Sequence, residues 1–473
     1  MNRFRLFLAL IVVPTLASSP CPAAEPVFTA DVAPALVARC ASCHGGAKAR
    51  GDYKLDTFEN LLQSGASGAK VIVPGKPDES ELYRRLASTD PNERMPPGDD
   101  ALAPDDIAAV KKWIAAGGKF DGVNRAVSLK SILPARKHPT APEKYPAPAP
   151  VFALAFSPDG KELATGGVHE ISVWDSASGS LLRRLPRLPA RIHAIAYSAD
   201  GKYLLVGGGT PGEYGEVALV ETKTGECIRV FGTFDDIVLA AAFSADGKTV
   251  ATGSADRTVR GYRLADGAES WRVSLHSDWV TGVAFSPDGK WVATASKDRT
   301  VKVLEASTGK LFTTFNGHRR QYAPHEGQFE VYAVGFDSTG TALSVGGGAA
   351  IRAWNPIKTQ EENGSAADME ERFKKAGHTR YLEYPMGKPV FALALGGGQA
   401  YSSGGDGILR QHDIATGKLV REYAKHTDWV YAVAVHPSTG RVATGGFDGG
   451  VRIWDSQTGN PIVAFTAAPG WSK

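Results

Sequence analysis

A unit of about 45 residues recurs seven times between residues 150 and 468, and no other feature limits the possible folds so tightly. Residues 151–160 (VFALAFSPDG) align with residues 279–289 (WVTGVAFSPDG), and further copies begin near Arg191, Ile237, Glu330, Pro389 and Trp429. Each copy reads as a short β-rich run, an Asp-Gly or Thr-Gly turn, a second run such as residues 250–254 (VATGS), another turn, and a third run such as residues 451–455 (VRIWD). A four-stranded unit of this size cannot bury both its faces alone. Seven of them must pack on one another, so this part of the chain is all-β and repetitive.

Trp174-Asp175 and Trp454-Asp455 close two of the copies, with Trp354-Asn355 as a variant. In these dipeptides and in its period the array resembles the WD40 repeat family, which implies a seven-bladed β-propeller. His426, Asp448 and Trp454 are similar to that family's buried hydrogen-bond set, and His276 with Asp298 form one that lacks the Trp. The resemblance makes these residues structural. An outer strand is expected over Pro461 to Phe465, which would let the last blade complete itself, with a further strand from the N-terminal side left open. The family's residues entering the innermost strand rim the channel mouth, and here they are Phe152, Arg191, His193, Trp279, Tyr332, Phe391, Trp429 and Tyr431. Aromatics and Arg anchor interfaces, so this ring is the candidate partner surface, with ordinary packing between blades as its alternative. The charged insertion Pro356 to Lys388 exceeds what a blade connection needs, and predicts a mobile loop or short surface helix, a solvated face or a partner-binding lid. Cys227, with no His or Cys near it in sequence, reads as a buried small residue.

Ahead of the repeats stands Cys40-Ala41-Ser42-Cys43-His44. C-x-x-C-H is the pattern of covalent c-type haem attachment. The two thiols reach the two vinyl groups as thioethers, and the adjacent imidazole serves as proximal iron ligand. A structural zinc site wants four Cys/His ligands, yet the next His is His138 and the next Cys is Cys227. A thioredoxin-like dithiol wants a βαβ context, which the flanks lack.

Val32, Leu36 and Val37 lie at helical spacing and predict a helix that delivers the cysteines. Pro104, Asp105 and Asp106 open a second helix carrying Ile107, Val110, Trp113 and Ile114 on one face, stopped by Gly117 and Gly118. Met95 is the only methionine between Met1 and Met369. If the iron takes two protein ligands from this domain, Met95 is the candidate for the second, held in a loop stiffened by Pro96 and Pro97. An open or water-bound position is the rival reading.

Residues 40–45, Gly51 to Asp56, residues 65–68 (GASG), Val73 to Leu82, Arg94 to Pro97 and Trp113-Ile114 together resemble the planctomycete-type cytochrome c domain. The resemblance covers roughly residues 28 to 120 and implies a low-spin His/Met haem used for electron transfer. Gly51-Asp52 stands where that family usually has two glycines.

The organisation expected is therefore a leader (1–23), a small all-α class I cytochrome c-like domain (24–121), a Pro-rich linker (122–149) and a seven-bladed WD40 propeller (150–473). The leader has Arg3 and Arg5, an apolar run from Leu6 to Ala17 and small residues at Ala23 and Ala24, which predict a secretory signal and a periplasmic or otherwise exported protein. An uncleaved membrane anchor is the alternative, although the run is shorter than the ~20 apolar residues of a span. Pro20 before Cys21 departs from a lipidation signal. Loss of the leader removes Arg3 and Arg5 and lowers the formal charge from +3 to +1, a balance that predicts no nucleic-acid partner. Six prolines between Pro134 and Pro150 predict an extended connector, with His138 solvated in it.

The functional reading is an exported carrier of one covalent haem c that transfers electrons, attached through Cys40 and Cys43 and ligated at iron by His44 and Met95, with the propeller docking redox protein partners. Its alternatives are an oxidoreductase whose propeller binds a substrate or second cofactor, and a haem-based redox sensor. The repeats show no clustered Cys/His metal motif, which favours an electron carrier over an enzyme with its own substrate.

Overall fold

The computed structural model describes residues 26–45, 49–97, 102–122, 124–126, 129–133, 136–319, 329–348, 351–365, 378–382, 388–423 and 426–471. The leader read at 1–23, Cys21 and part of the 356–388 insertion lie outside them. The chain divides into two compact units, Met1–Ala135 and Arg136–Lys473.

In the first unit a π-helical turn, Phe28–Val32, runs into α1 (Ala33–His44). Short helices α2 (Phe58–Leu61) and α3 (Glu81–Ala87) follow, then α4 (Pro104–Ala115). Thr57 caps α2, its Oγ1 accepting from Asn60 N at 3.1 Å. Pro104, Asp105 and Asp106 start α4, and Gly117, at φ 104°, leads the chain out of it. Phe28, Phe58 and Trp113 form the centre of the core, with Phe28–Phe58 ring centroids 4.7 Å apart and Phe28–Trp113 5.1 Å apart. Each such side chain contributes about 1.5–3 kcal/mol on burial. The buried indole is not left unsatisfied, since Trp113 Nε1 donates to Lys119 O at 2.8 Å.

The second unit is a seven-bladed propeller of seven four-stranded antiparallel sheets, each in simple sequence order. The blades span 154–186, 191–234, 238–273, 280–315, 331–382, 390–422 and 430–466. Pro461–Thr466 pairs with Gly450–Asp455, so the last blade is built from its own sequence. Ring closure therefore rests on packing and on single backbone bonds rather than on a shared sheet. Val151, Leu154 and Phe156 of the first blade pack with Ala432, Val451 and Ile453 of the last, and Val151 N donates to Gly446 O at 3.0 Å.

Several expectations need correction. Residues 136–149 are strapped onto the propeller rather than standing off as an extended connector. His138 is not solvated: its side chain is 5% exposed and its Nε2 lies 2.9 Å from Glu216 Oε1. Arg136 lies over the Tyr214 ring at 3.9 Å. Tyr145 is buried, donates from its hydroxyl to Glu170 Oε1 at 2.8 Å and accepts there from Val168 N at 3.0 Å. Arg184, paired with Glu170 at 2.6 Å, donates to the carbonyls of Pro142 and Glu143. The cause is electrostatic: Glu170 and Glu216 are buried carboxylates, and the strap brings each of them a hydrogen-bond partner.

The 356–388 insertion is not wholly a surface feature. It opens with α5 (Pro356–Ser365), whose Asn363 Nδ2 donates to Thr314 O at 2.9 Å, and later supplies His378–Leu382, the outer strand of the fifth blade. Cys227 is exposed, because it starts the outer strand of the second blade. The expected His426 set is also incomplete. His426 Nε2 meets Thr444 Oγ1 at 2.6 Å, but its Nδ1 has no partner among the described residues, while Asp448 takes Thr427 Oγ1 and Gly450 N instead. His276, by contrast, bonds both Asp298 and Thr294 at 2.8 Å, with buried Leu304 in the strand that elsewhere ends in Trp.

Candidate functional site

Cys40, Cys43 and His44 share the last turns of α1, where a spacing of three brings the two thiols to one side of the helix. The helix stops at Gly45, whose N–H donates to Ala41 O at 2.8 Å; a Cβ there would stand 2.5 Å from that same oxygen. The chain then returns beside its own helix. Leu55 N donates to His44 O at 2.9 Å, and His44 Nδ1 lies 3.2 Å from Tyr53 O. A carbonyl accepts only, so Nδ1 carries the proton and Nε2 keeps a free lone pair. Tyr53 is itself fixed by its hydroxyl, which donates to Leu61 O at 3.1 Å.

Met95 approaches from a different element. Its N–H donates to Arg85 O at 3.0 Å, tying the Pro96-Pro97 loop to the end of α3. Cys40, Cys43, His44 and Met95, far apart in sequence, all line one cavity of about 370 Å³. Its walls include Leu36, Leu55, Val71 and Leu86, and Arg39 and Arg50 line it as well. The volume is that of a ligand pocket, mostly apolar with a few polar groups.

The cavity chemistry fits a covalently held haem. Two unpaired thiols, one imidazole with an orienting carbonyl and one thioether make a set of two attachment points and two soft-to-borderline iron ligands. Burial, with the neighbouring Cys43 adding to it, pushes the Cys40 thiol up to about 11. Such a thiol stays protonated at neutral pH, unlike the exposed thiolate of a redox-active dithiol.

In the propeller, Phe152, His193, Tyr332, Phe391 and Tyr431 occupy equivalent repeat positions, the last four on the innermost strands of their blades and Phe152 just ahead of its own. Leu239 and Thr281 fill that position in the other two blades. The rings form a chain around the channel: Phe152–His193 at 4.5 Å, Phe152–Tyr431 at 5.3 Å, Phe391–Tyr431 at 4.9 Å and Tyr332–Phe391 at 5.3 Å. His193 behaves as one more aromatic, since burial, helped by Arg191, takes its pKa down to about 4. Tyr332 donates its hydroxyl to Glu330 at 2.6 Å. Trp279 and Trp429 stand at the mouth, 40% and 49% exposed, with Lys297 over Trp279 at 4.1 Å. Phe447, 47% exposed and 6.1 Å from Tyr431, extends this patch. It follows the second strand of its blade, Arg441–Gly446, so the repeat pattern of the first strands does not reveal it.

Residues 40–99 match the planctomycete cytochrome C family, and residues 143–175, 225–262, 269–304 and 417–455 match the WD domain, G-beta repeat family. The first WD match begins inside the strap. Among curated proteins the chain is similar to THO complex subunit 6 homolog of Danio rerio, 28% identical over 127 residues covering 26% of this chain and 37% of that protein. It is also similar to THO complex subunit 6 of Arabidopsis thaliana, 26% identical over 148 residues (29% of this chain, 40% of that protein). The chain thus spans two-fifths or less of the length of these relatives.

Proposed function

For a chain that carries a planctomycete-type cytochrome c domain ahead of a seven-bladed WD40 propeller, we propose one-electron transfer through a single covalent haem c. The observation that carries this reading is the convergence of Cys40, Cys43, His44 and Met95 on one apolar cavity. Haem c, when bound, supplies reversible ferrous/ferric cycling. The residues hold and tune it. Cys40 and Cys43 would hold the group through two thioether bonds. His44 would offer Nε2 while Tyr53 O holds its Nδ1 proton, and Met95 would offer its sulfur from the loop tied to Arg85. Leu36, Leu55 and Leu86 keep water away, so the potential is set by ligands and burial rather than by solvent.

The propeller, in this proposal, docks redox protein partners at the channel mouth through Arg191, Trp279, Trp429 and the aromatic residues behind them. The leader at 1–23 supports export of the mature chain. The test of the haem reading is a spectrum of denatured, acid-acetone-extracted protein. Wild type retains haem on the polypeptide, whereas Cys40→Ser with Cys43→Ser loses it. Haem staining of the double variant at wild-type intensity would end the proposal.

A further inference from the structure

The fourth and seventh blades each present a tryptophan at the channel mouth in the same backbone frame. Asp278 Oδ1 accepts from Trp279 N and Asp428 Oδ1 from Trp429 N, each at 2.7 Å. Lys297 N donates to Trp279 O at 3.0 Å, and Phe447 N donates to Trp429 O at 2.8 Å. Lys297 and Phe447 therefore hold the same place in their blades, but they bring different chemistry to the tryptophan. Lys297 sets its ammonium over the Trp279 ring, 4.1 Å from the centroid. Phe447 brings no charge, and the seventh blade gathers further rings around Trp429 instead. Trp429 lies 5.7 Å from Phe391 and 6.3 Å from Tyr431, while Tyr431 is 4.9 Å from Phe391 and 6.1 Å from Phe447. Among the described residues no cation lies over any of these four rings, although Trp429 and Phe447 are exposed. The patch is also negative at its edge. Asp428 Oδ2 has no hydrogen bond or ion pair among the described residues, and its charge adds to burial in pushing the Tyr431 phenol up.

We propose that Phe391, Trp429, Tyr431 and Phe447, with Asp428 at their edge, form a subsite for a lysine side chain of a partner protein. The contact that Lys297 makes within the fourth blade is made here between molecules. The proposal rests on the docking reading of the channel mouth. Its physical basis is that ring faces attract an ammonium electrostatically, and that the methylene stem of a lysine covers apolar ring surface while its charged head stays at the wet rim. Asp428 supplies the opposite charge there, so a neutral side chain of the same length gains only the apolar part. The occupant comes from outside because the chain itself places a ring, Phe447, where the fourth blade places its own lysine.

The test follows fluorine resonances of the full-length protein labelled with fluorotryptophan, the Trp429 signal being identified by its loss in Trp429→Phe. The probe is a capped tripeptide with lysine between two glycines. The same tripeptide with norleucine, and tetramethylammonium chloride, serve as comparisons at equal ionic strength. The lysine peptide should shift the Trp429 signal saturably, in the millimolar range for so small a contact, and the norleucine peptide should not. Asp428→Asn should weaken binding about threefold. Phe447→Lys, which supplies in cis the ammonium that Lys297 gives Trp279, should abolish it. Asp428 and Phe447 are exposed, so both variants should keep the wild-type melting temperature. Equal shifts from the lysine and norleucine peptides would make the patch merely apolar, and a response to tetramethylammonium alone would make it a site for a small quaternary ammonium. Undiminished binding in Phe447→Lys would place the lysine elsewhere. Each of these three results overturns the proposal. Failure of the docking reading shows separately, as partner capture unchanged by Trp279→Ala with Trp429→Ala.

Discussion

At the residue scale, the two halves of the candidate haem site are fixed by different means. His44 ends a helix and is oriented by the carbonyl of Tyr53, whereas Met95 depends on one backbone bond to Arg85 and a proline-stiffened loop. Met95→Ala should therefore keep covalent haem, lose the long-wavelength thioether-to-iron band and lower the midpoint potential, because a soft ligand that favours ferrous iron is gone. Redox titration alongside the optical spectrum checks this; an unchanged spectrum and potential would assign the ligand elsewhere. The channel-mouth residues call for the opposite expectation about stability. Trp279 and Trp429 are 40% and 49% exposed, so Trp279→Ala with Trp429→Ala should leave the melting temperature close to wild type. Partner capture should weaken by about 2 kcal/mol or more if either residue is an anchor; equal capture by co-purification would place docking elsewhere.

At the element scale, the strap of residues 136–149 closes the first blade and, through Tyr145 N bonded to Pro469 O at 3.1 Å, reaches the chain's end. Tyr145→Phe removes one hydroxyl that serves both Glu170 and Val168. Chemical denaturation should report a loss of about 1–3 kcal/mol, chiefly the cost of leaving part of the buried Glu170 carboxylate unsatisfied. A protein starting at residue 150 should likewise be less stable than one starting at residue 136, and equal midpoints would count against the strap. The sequence hid this element for a definite reason. Its prolines and lack of period describe a linker correctly in local terms, while its binding partners, Glu170 and Glu216, lie 25 and 78 residues from Tyr145 and His138. Tyr145, a large aromatic in a run of prolines, was the one local sign.

At the scale of the whole molecule, acid sensitivity should come from the propeller's histidines. Burial takes His193 and His426 from an ordinary 6.5 down to about 4, lowers His276 despite its Asp298 partner, and takes His318 well down beside Arg352. The unfolded chain binds protons on these rings below about pH 6.5 while the folded chain refuses them, so stability is full above that value and falls as pH drops toward 4. His193 and His426 should each cost on the order of 3 kcal/mol across the window. Urea midpoints measured from pH 7 to 4.5 should decline steadily, and His426→Gln should flatten the decline; a level profile would mean the rings accept protons in place.

The repeat period, the turns and the Cys40–His44 motif by themselves determined the seven blades, the two helices and the thiols, because each is a local pattern of backbone or side-chain periodicity. Helical spacing put Val32 and Leu36 in the core, and an aligned repeat put Phe152 and Tyr431 at equivalent channel positions. Only the tertiary structure decided that Arg50 shares a loop with the carbonyl that orients His44, that the strap belongs to the propeller, and that residues 378–382 finish a blade rather than decorate it. Those outcomes turn on where buried carboxylates and open strand edges find partners, and such partners are chosen across space, where sequence distance carries no weight.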